Sequence, residues 1–202
     1  MTTENHEGEM VELDTTHPIW DRFFTVNPLV LVGTREGEGY DLAPKHMAFP
    51  LGWDNYFAFV CTPRHSTYHN AQATQSFTVS YPRPDQLIHT SVAAQPRGDA
   101  PHTPGLELLP TEPARTVDGI LLRGAYAHLE CELDRVLDGF GVNSLVVGRV
   151  VAARVHMDAF PISEQSHTEL IHETPLLAYI HPGRIAEIHD TRVFPFPADF
   201  KK

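Results

Sequence analysis

Residues 128–155 read HLECELDRVLDGFGVNSLVVGRVVAARV, and this stretch decides the fold. Leu129, Cys131 and Leu133 alternate with Glu130, Glu132 and Asp134, the period-2 pattern of a strand with one face in a core and one in water. Asp138-Gly139-Phe140-Gly141 supplies turn chemistry, and Asn143 to Val155 resumes as a second strand rich in β-branched residues. Two such strands joined by a glycine-bearing turn make an antiparallel hairpin.

The same logic extends outward. Residues 29–44 read as a second hairpin, turning at Arg35-Glu36-Gly37-Glu38-Gly39. Lys45 to Pro50 stays extended and Leu51 to Asn55 turns. Tyr56 to Thr62 has the length and aromatic content of a buried strand, and Phe77 to Tyr81 alternates as another. Helical stretches are short: a turn over Pro18 to Phe24, a helix at about 66–74, and a helix within Asp85 to Ala94. Gln95 to Pro113, rich in Pro, Gly and Thr, is expected to be a long surface loop. At least five strands with only short helices predict a mainly β protein, a closed antiparallel, Greek-key-like β-barrel with peripheral helices.

The 202 residues are expected to form one domain, residues 17–202, behind a flexible acidic leader at 1–16. The composition, 42% hydrophobic and 20% charged, is that of a globular chain. A formal net charge of -11 with no basic run argues against nucleic acid as a partner. No apolar run reaches the roughly 18 residues of a membrane span. The leader lacks an apolar segment of the signal-peptide kind. The 2 cysteines, Cys61 and Cys131, lie in apolar strands and are expected to be buried thiols, which suits a reducing cytoplasm.

Tyr56 to Asn70, YFAFVCTPRHSTYHN, carries the chemistry. A strand ends at Thr62-Pro63, Arg64 follows, and Ser66 and Thr67 stand where a helix begins. The free N–H groups and positive dipole end of a helix favour an anion, and an arginine adds a forked contact. Ser66 or Thr67 would serve equally as a plain helix cap, and the residues leave both readings open. Lys45-His46-Met47-Ala48-Phe49 places a lysine and a histidine at a strand edge, either as a solvated face or against a polar ligand. Gly37-Glu38-Gly39 and Gly139-Phe140-Gly141 open no helix, so neither is a dinucleotide-binding turn. His65 and His69 are four apart but lack a third ligand, so no metal is expected.

Taken together, four passages resemble the flavin reductase-like family, whose fold is the FMN-binding split barrel. They are Leu29 to Pro50 with its Asp41-Leu42-Ala43-Pro44 strand, Tyr56 to Asn70 with Arg64, Thr67 and Asn70 at three-residue spacing, Phe77 to Tyr81, and His128 to Val155. Pro175 to Arg184 is similar to the family's closing segment. The resemblance covers about residues 25–190. It implies bound FMN, reduction of flavin by NADH or NADPH, and a homodimer that serves a flavin-dependent monooxygenase. It places Thr62, Arg64, His65, Ser66, Thr67 and Asn70 around the phosphate and ribityl chain. Lys45, His46, Met47, Ala48 and Phe49 would run along the flavin ring, with Lys45 or His46 as the candidate catalytic group. Where many members carry a serine two residues after Ala-Pro, this chain has His46. A flavin protein that only carries electrons, and a flavin-free dimeric module, are the alternative functions.

Overall fold

The computed structural model describes residues 10–96, 103–162 and 166–197. The first half of the chain runs β1 (Thr25–Pro28), β2 (Val30–Glu36), β3 (Gly39–Lys45), β4 (Ala48–Pro50), β5 (Tyr56–Cys61), α1 (Ser66–Thr74), β6 (Ser76–Tyr81) and α2 (Leu87–Val92). The second half runs β7 (Thr111–Pro113), β8 (Ile120–Leu122), β9 (Ala127–Phe140), β10 (Asn143–Val155), α3 (His167–Glu173), β11 (Leu176–His181) and β12 (Arg184–Ile188). Residues 1–9 of the expected leader lie outside the described residues.

Seven strands form one antiparallel sheet in the order β3-β2-β6-β9-β10-β5-β4, curled into a half-barrel. Its edges, β3 and β4, are consecutive in the chain and joined through His46 and Met47, with no ladder between them. The expected barrel is therefore split along this line. A second sheet, β1-β11-β12, brings an early and a late segment together. The β9–β10 hairpin is longer than the sequence pattern suggests. It turns on Gly141 and Val142 alone, with Gly141 at φ +64, a conformation that glycine adopts without strain.

Val30 to Thr34 is buried throughout, because β2 packs on both faces. Val30 and Val32 join Phe57, Phe59, Phe77, Val79, Cys131 and Val146 in one core. Leu31 joins Leu42, Leu109, Ile120 and Leu122 in another, on the opposite face. A strand covered on both sides reads as a continuous apolar run rather than an alternation. The Phe59 and Phe77 rings meet edge to face at 5.2 Å. Gly148 on β10 is needed here, since an added Cβ would lie 2.5 Å from the Phe77 ring carbons. Cys61 and Cys131 are free and buried, as their strand settings predict.

The second core overturns part of the β9 expectation. Glu130, assigned to the water-facing side, is only 2% exposed. Residues 109–125 fold over that face, and the Glu130 carboxylate accepts backbone N–H bonds from Arg115 (3.0 Å), Thr116 (2.6 Å) and Val117 (3.2 Å). His128 on the same face is buried too, and its Nε2–H donates to the Leu122 carbonyl at 2.8 Å. The expected loop from Gln95 to Pro113 is thus partly structural: residues 97–102 lie outside the described residues, Leu106–Leu108 form a 3-10 turn, Leu109 is buried, and β7 pairs with β8. The helical turn expected at Pro18 to Phe24 is reduced to one hydrogen-bonded turn at Trp20-Asp21, closed by the Arg22 N–H donating to the Ile19 carbonyl at 3.0 Å, and the Trp20 and Phe23 rings remain exposed rather than docked.

Candidate functional site

Three elements converge on a cleft of about 720 Å³. β3 contributes Asp41, Ala43 and Lys45, which share one face because side chains alternate along a strand. The start of α1 contributes Arg64, His65, Ser66 and Thr67, and the segments after α2 contribute Gln95 and Thr103. The volume is within the roughly 300–1,000 Å³ of small-molecule sites.

The first turn of α1 is left open. His65 is the N-cap residue, in an extended conformation (φ -96, ψ 141), and no side chain caps the helix. The Tyr68 N–H donates to the His65 carbonyl at 3.1 Å. The Ser66 and Thr67 N–H groups have no acceptor among the described residues. Between the two sequence readings of this corner, plain cap or ligand seat, the cap fails: the Ser66 hydroxyl donates instead to Asp41 Oδ2 at 3.3 Å, and Thr67 is buried. Free N–H groups at a helix start hold anions well.

Two cations face the same cleft. The Arg64 guanidinium and the Lys45 ammonium make no hydrogen bond or ion pair among the described residues. Burial pushes the Lys45 ammonium below the ordinary lysine range, against the opposing pull of nearby Cys61 and Asp41. Burial and the Lys45 charge likewise lower His65. Asp41 is 2% exposed and also accepts from the Thr103 hydroxyl at 2.9 Å, so its charge is anchored on one side of the cleft. Sequence reading passed over Asp41 and Thr103. The two-residue spacing of Asp41, Ala43 and Lys45 is the signal that places Asp41 beside Lys45.

The other candidates lie elsewhere. His46 turns away from the cleft and stacks on Tyr179 of β11, with ring centroids 4.3 Å apart, and on His181 at 5.9 Å. Ala48 is in the core, while Met47 and Phe49 are exposed at the β4 edge. Asn70 points to β2, donating to Thr34 Oγ1 at 3.2 Å and Glu36 Oε1 at 3.4 Å, which braces α1 against the sheet. Thr62 lines a smaller hollow on the other side of Arg64. His69 is not paired with His65: its Nε2 bonds the Pro63 carbonyl at 2.7 Å.

The fold has many solved counterparts. Nitrilotriacetate monooxygenase component B from Bacillus cereus superposes with a TM-score of 0.79 at 16% identity, over 93% of this chain and 100% of that one. Flavoredoxin from Methanosarcina acetivorans superposes at 0.76 and 15% identity, over 95% and 97%. An NADH:FAD oxidoreductase from Streptomyces globisporus gives 0.67 and 16%, over 89% and 96%. These likenesses show a common flavin-binding split-barrel fold. No curated protein matches the sequence. The model of the flavin reductase like domain matches residues 22–180, and the chain therefore belongs to the flavin reductase-like family.

Proposed function

We propose that this protein is an NAD(P)H-dependent flavin reductase that holds FMN in the cleft between β3 and α1. The observation that carries this is the open α1 N-terminus flanked by two cations without partners. That donor set fits a phosphate monoester: Ser66 and Thr67 N–H groups and Arg64 would hold it, with His65 beside them. Asp41 would accept from the hydroxyls of the ribityl chain. Lys45, held without a partner among the described residues, brings positive charge to the part of the cleft beyond the phosphate. A flavin held here would supply the two-electron redox chemistry with a nicotinamide as hydride donor, while Arg64, Ser66, Thr67 and Asp41 would hold and orient it and Lys45 would set the charge around it.

The exposed apolar side chains Met47, Phe49 and Leu51 along β4 support a homodimer. The family and the fold shared with a monooxygenase component support a flavin-dependent monooxygenase as the recipient of reduced flavin. No helix among the described residues is long and apolar enough to cross a membrane. A cytoplasmic setting belongs to the same proposal.

The test is the absorbance spectrum of the purified protein with added FMN, followed by steady-state NADH and NADPH oxidation. Turnover above buffer is expected. Bound FMN without turnover would leave an electron carrier, and failure to bind FMN would leave a flavin-free module. Lys45→Gln is expected to lower kcat/KM by about tenfold, a loss of about 1.4 kcal/mol. In the wild type, FMN affinity should fall as rising pH neutralises Lys45, beginning below its unperturbed value of 10.5. That decline should be missing from the variant, as a titration at several pH values would show.

A further inference from the structure

His46 stands at the corner where β3 gives way to β4, the line along which the large sheet is split. Both of its chain neighbours are fixed to the large sheet. Lys45 pairs with Val30 of β2, and the Met47 carbonyl accepts from the Val60 N–H of β5 at 2.8 Å. The His46 ring instead reaches the small sheet and stacks on Tyr179. Tyr179 is a firm platform. It lies in the middle strand, between Asn27 of β1 and Ile185 of β12, and its hydroxyl accepts from the Gly183 N–H at 3.0 Å. We infer that His46 is a positioning residue for the adjacent Lys45, an uncharged clamp between the two sheets that protonation releases. The part played through Lys45 rests on the proposed flavin cleft, whereas the clamp itself does not.

The surroundings suit the neutral ring. His46 Nε2 is buried and has no hydrogen-bond partner among the described residues. With the ring proton on Nδ1, that atom is a bare lone pair. Protonation would turn it into a buried N–H without an acceptor and add a charge, and both are costly. The Tyr179 face would attract an imidazolium, but in the stacked position the added N–H still lacks an acceptor. His181 Nδ1 is likewise buried and unpartnered, and its ring centroid is 5.9 Å from that of His46. Burial, then His181 on β11 and Lys45 on β3, hold His46 below the ordinary histidine value of 6.5. β1 and β4 carry no ionisable side chain to offset them. On β12, Arg184 is a further cation, and the Glu187 carboxylate already lies 3.3 Å from His189 Nε2. A histidine with a depressed folded-state pKa contributes stability above its unfolded value. That contribution is lost as pH falls from there to the folded value.

The clamp is tested on the full chain without flavin, by amide exchange at Tyr179 and Ile180 across mildly acidic pH. After correction for intrinsic rates, the opening constant should rise below about pH 6.5, by up to about tenfold per pH unit. His46→Phe keeps a stacked ring without a proton site and should abolish that rise. A flat wild type, or an equal rise in His46→Phe, would overturn the clamp. So would a wild-type His46 ring that titrates by NMR at or above 6.5, a measurement that needs no variant. The link to Lys45 is read from the Kd of FMN. His46→Ala should raise it about threefold and His46→Phe should restore it, while the alanine change should have no effect in a Lys45→Gln background. An equal loss in both backgrounds would overturn the link. Failure to bind FMN at all would overturn the flavin cleft and the link together, and exchange would still decide the clamp.

Discussion

Replacing Arg64 by alanine is expected to weaken FMN binding by about 1.5–3 kcal/mol, the range for a hydrogen bond to a charged group. That is a rise in Kd of roughly 10- to 150-fold. Fluorescence titration of FMN measures it directly. The argument rests on Arg64 having no partner in the protein among the described residues, so its charge is not already spent on an ion pair. Its position is set by the turn before α1, where the Arg64 N–H approaches Thr62 Oγ1 at 3.4 Å and the His65 N–H bonds the Thr62 carbonyl at 3.0 Å. The side chain is exposed, so alanine should leave stability close to that of the wild type. Arg64→Lys should recover part of the affinity but not the forked geometry. An unchanged Kd in Arg64→Ala would place the phosphate elsewhere.

Glu130→Ala should be the most destabilising single change outside the apolar cores. The carboxylate is the acceptor for three consecutive backbone N–H groups, and each buried donor left without an acceptor costs about 1–3 kcal/mol. A loss of about 3 kcal/mol or more is expected in urea unfolding, with the loop over β9 loosening first. Glu130→Gln keeps one carbonyl oxygen and should lose less. Burial by itself would raise the Glu130 pKa, but the N–H bonds from Thr116, Arg115 and Val117, with Arg154 nearby, outweigh it and hold the group below its ordinary value of 4.5. A carboxylate with a depressed folded-state pKa contributes stability that is fully present above the unfolded value. That contribution is lost as pH falls through the folded one. The wild type should therefore lose this contribution in acid below about pH 4.5, and Glu130→Gln should show a shallower acid limb.

Local signals were the legible ones. The turn at Arg35 to Gly39, the strand at Tyr56 and the helix at Ser66 to Thr74 each announce themselves within a few residues, through glycines, an apolar run or a helix start. The cleft was legible for the same reason, since Arg64, Ser66 and Thr67 are neighbours in sequence. What failed were inferences about which partner a side chain finds at a distance. Glu130 looks solvent-facing from its neighbours alone, and only the arrival of residues 115–117 makes it a buried anchor. Asn70 sits at the spacing that suggested a ligand, yet Thr34 and Glu36 claim it from across the sheet. His46 lies next to Lys45, but strand alternation sends the two to opposite sides, and Tyr179 is the partner that receives it. β1 was missed because a four-residue strand carries too little pattern and depends on β11 for its identity.

The pairing of β1 with β11 also sets an order of events. Thr25 meets His181 across more than 150 residues, so on a ribosome β1 emerges long before its partner exists. The large sheet, complete by Val155, can close while β1 still waits with an unpaired edge. The last segment made then finishes both the small sheet and the stack on His46. Amide exchange should accordingly report the β1–β11 ladder as a separate, less protected unit than β6 and β9, and a nascent chain halted before residue 176 should offer its β1 segment to proteases.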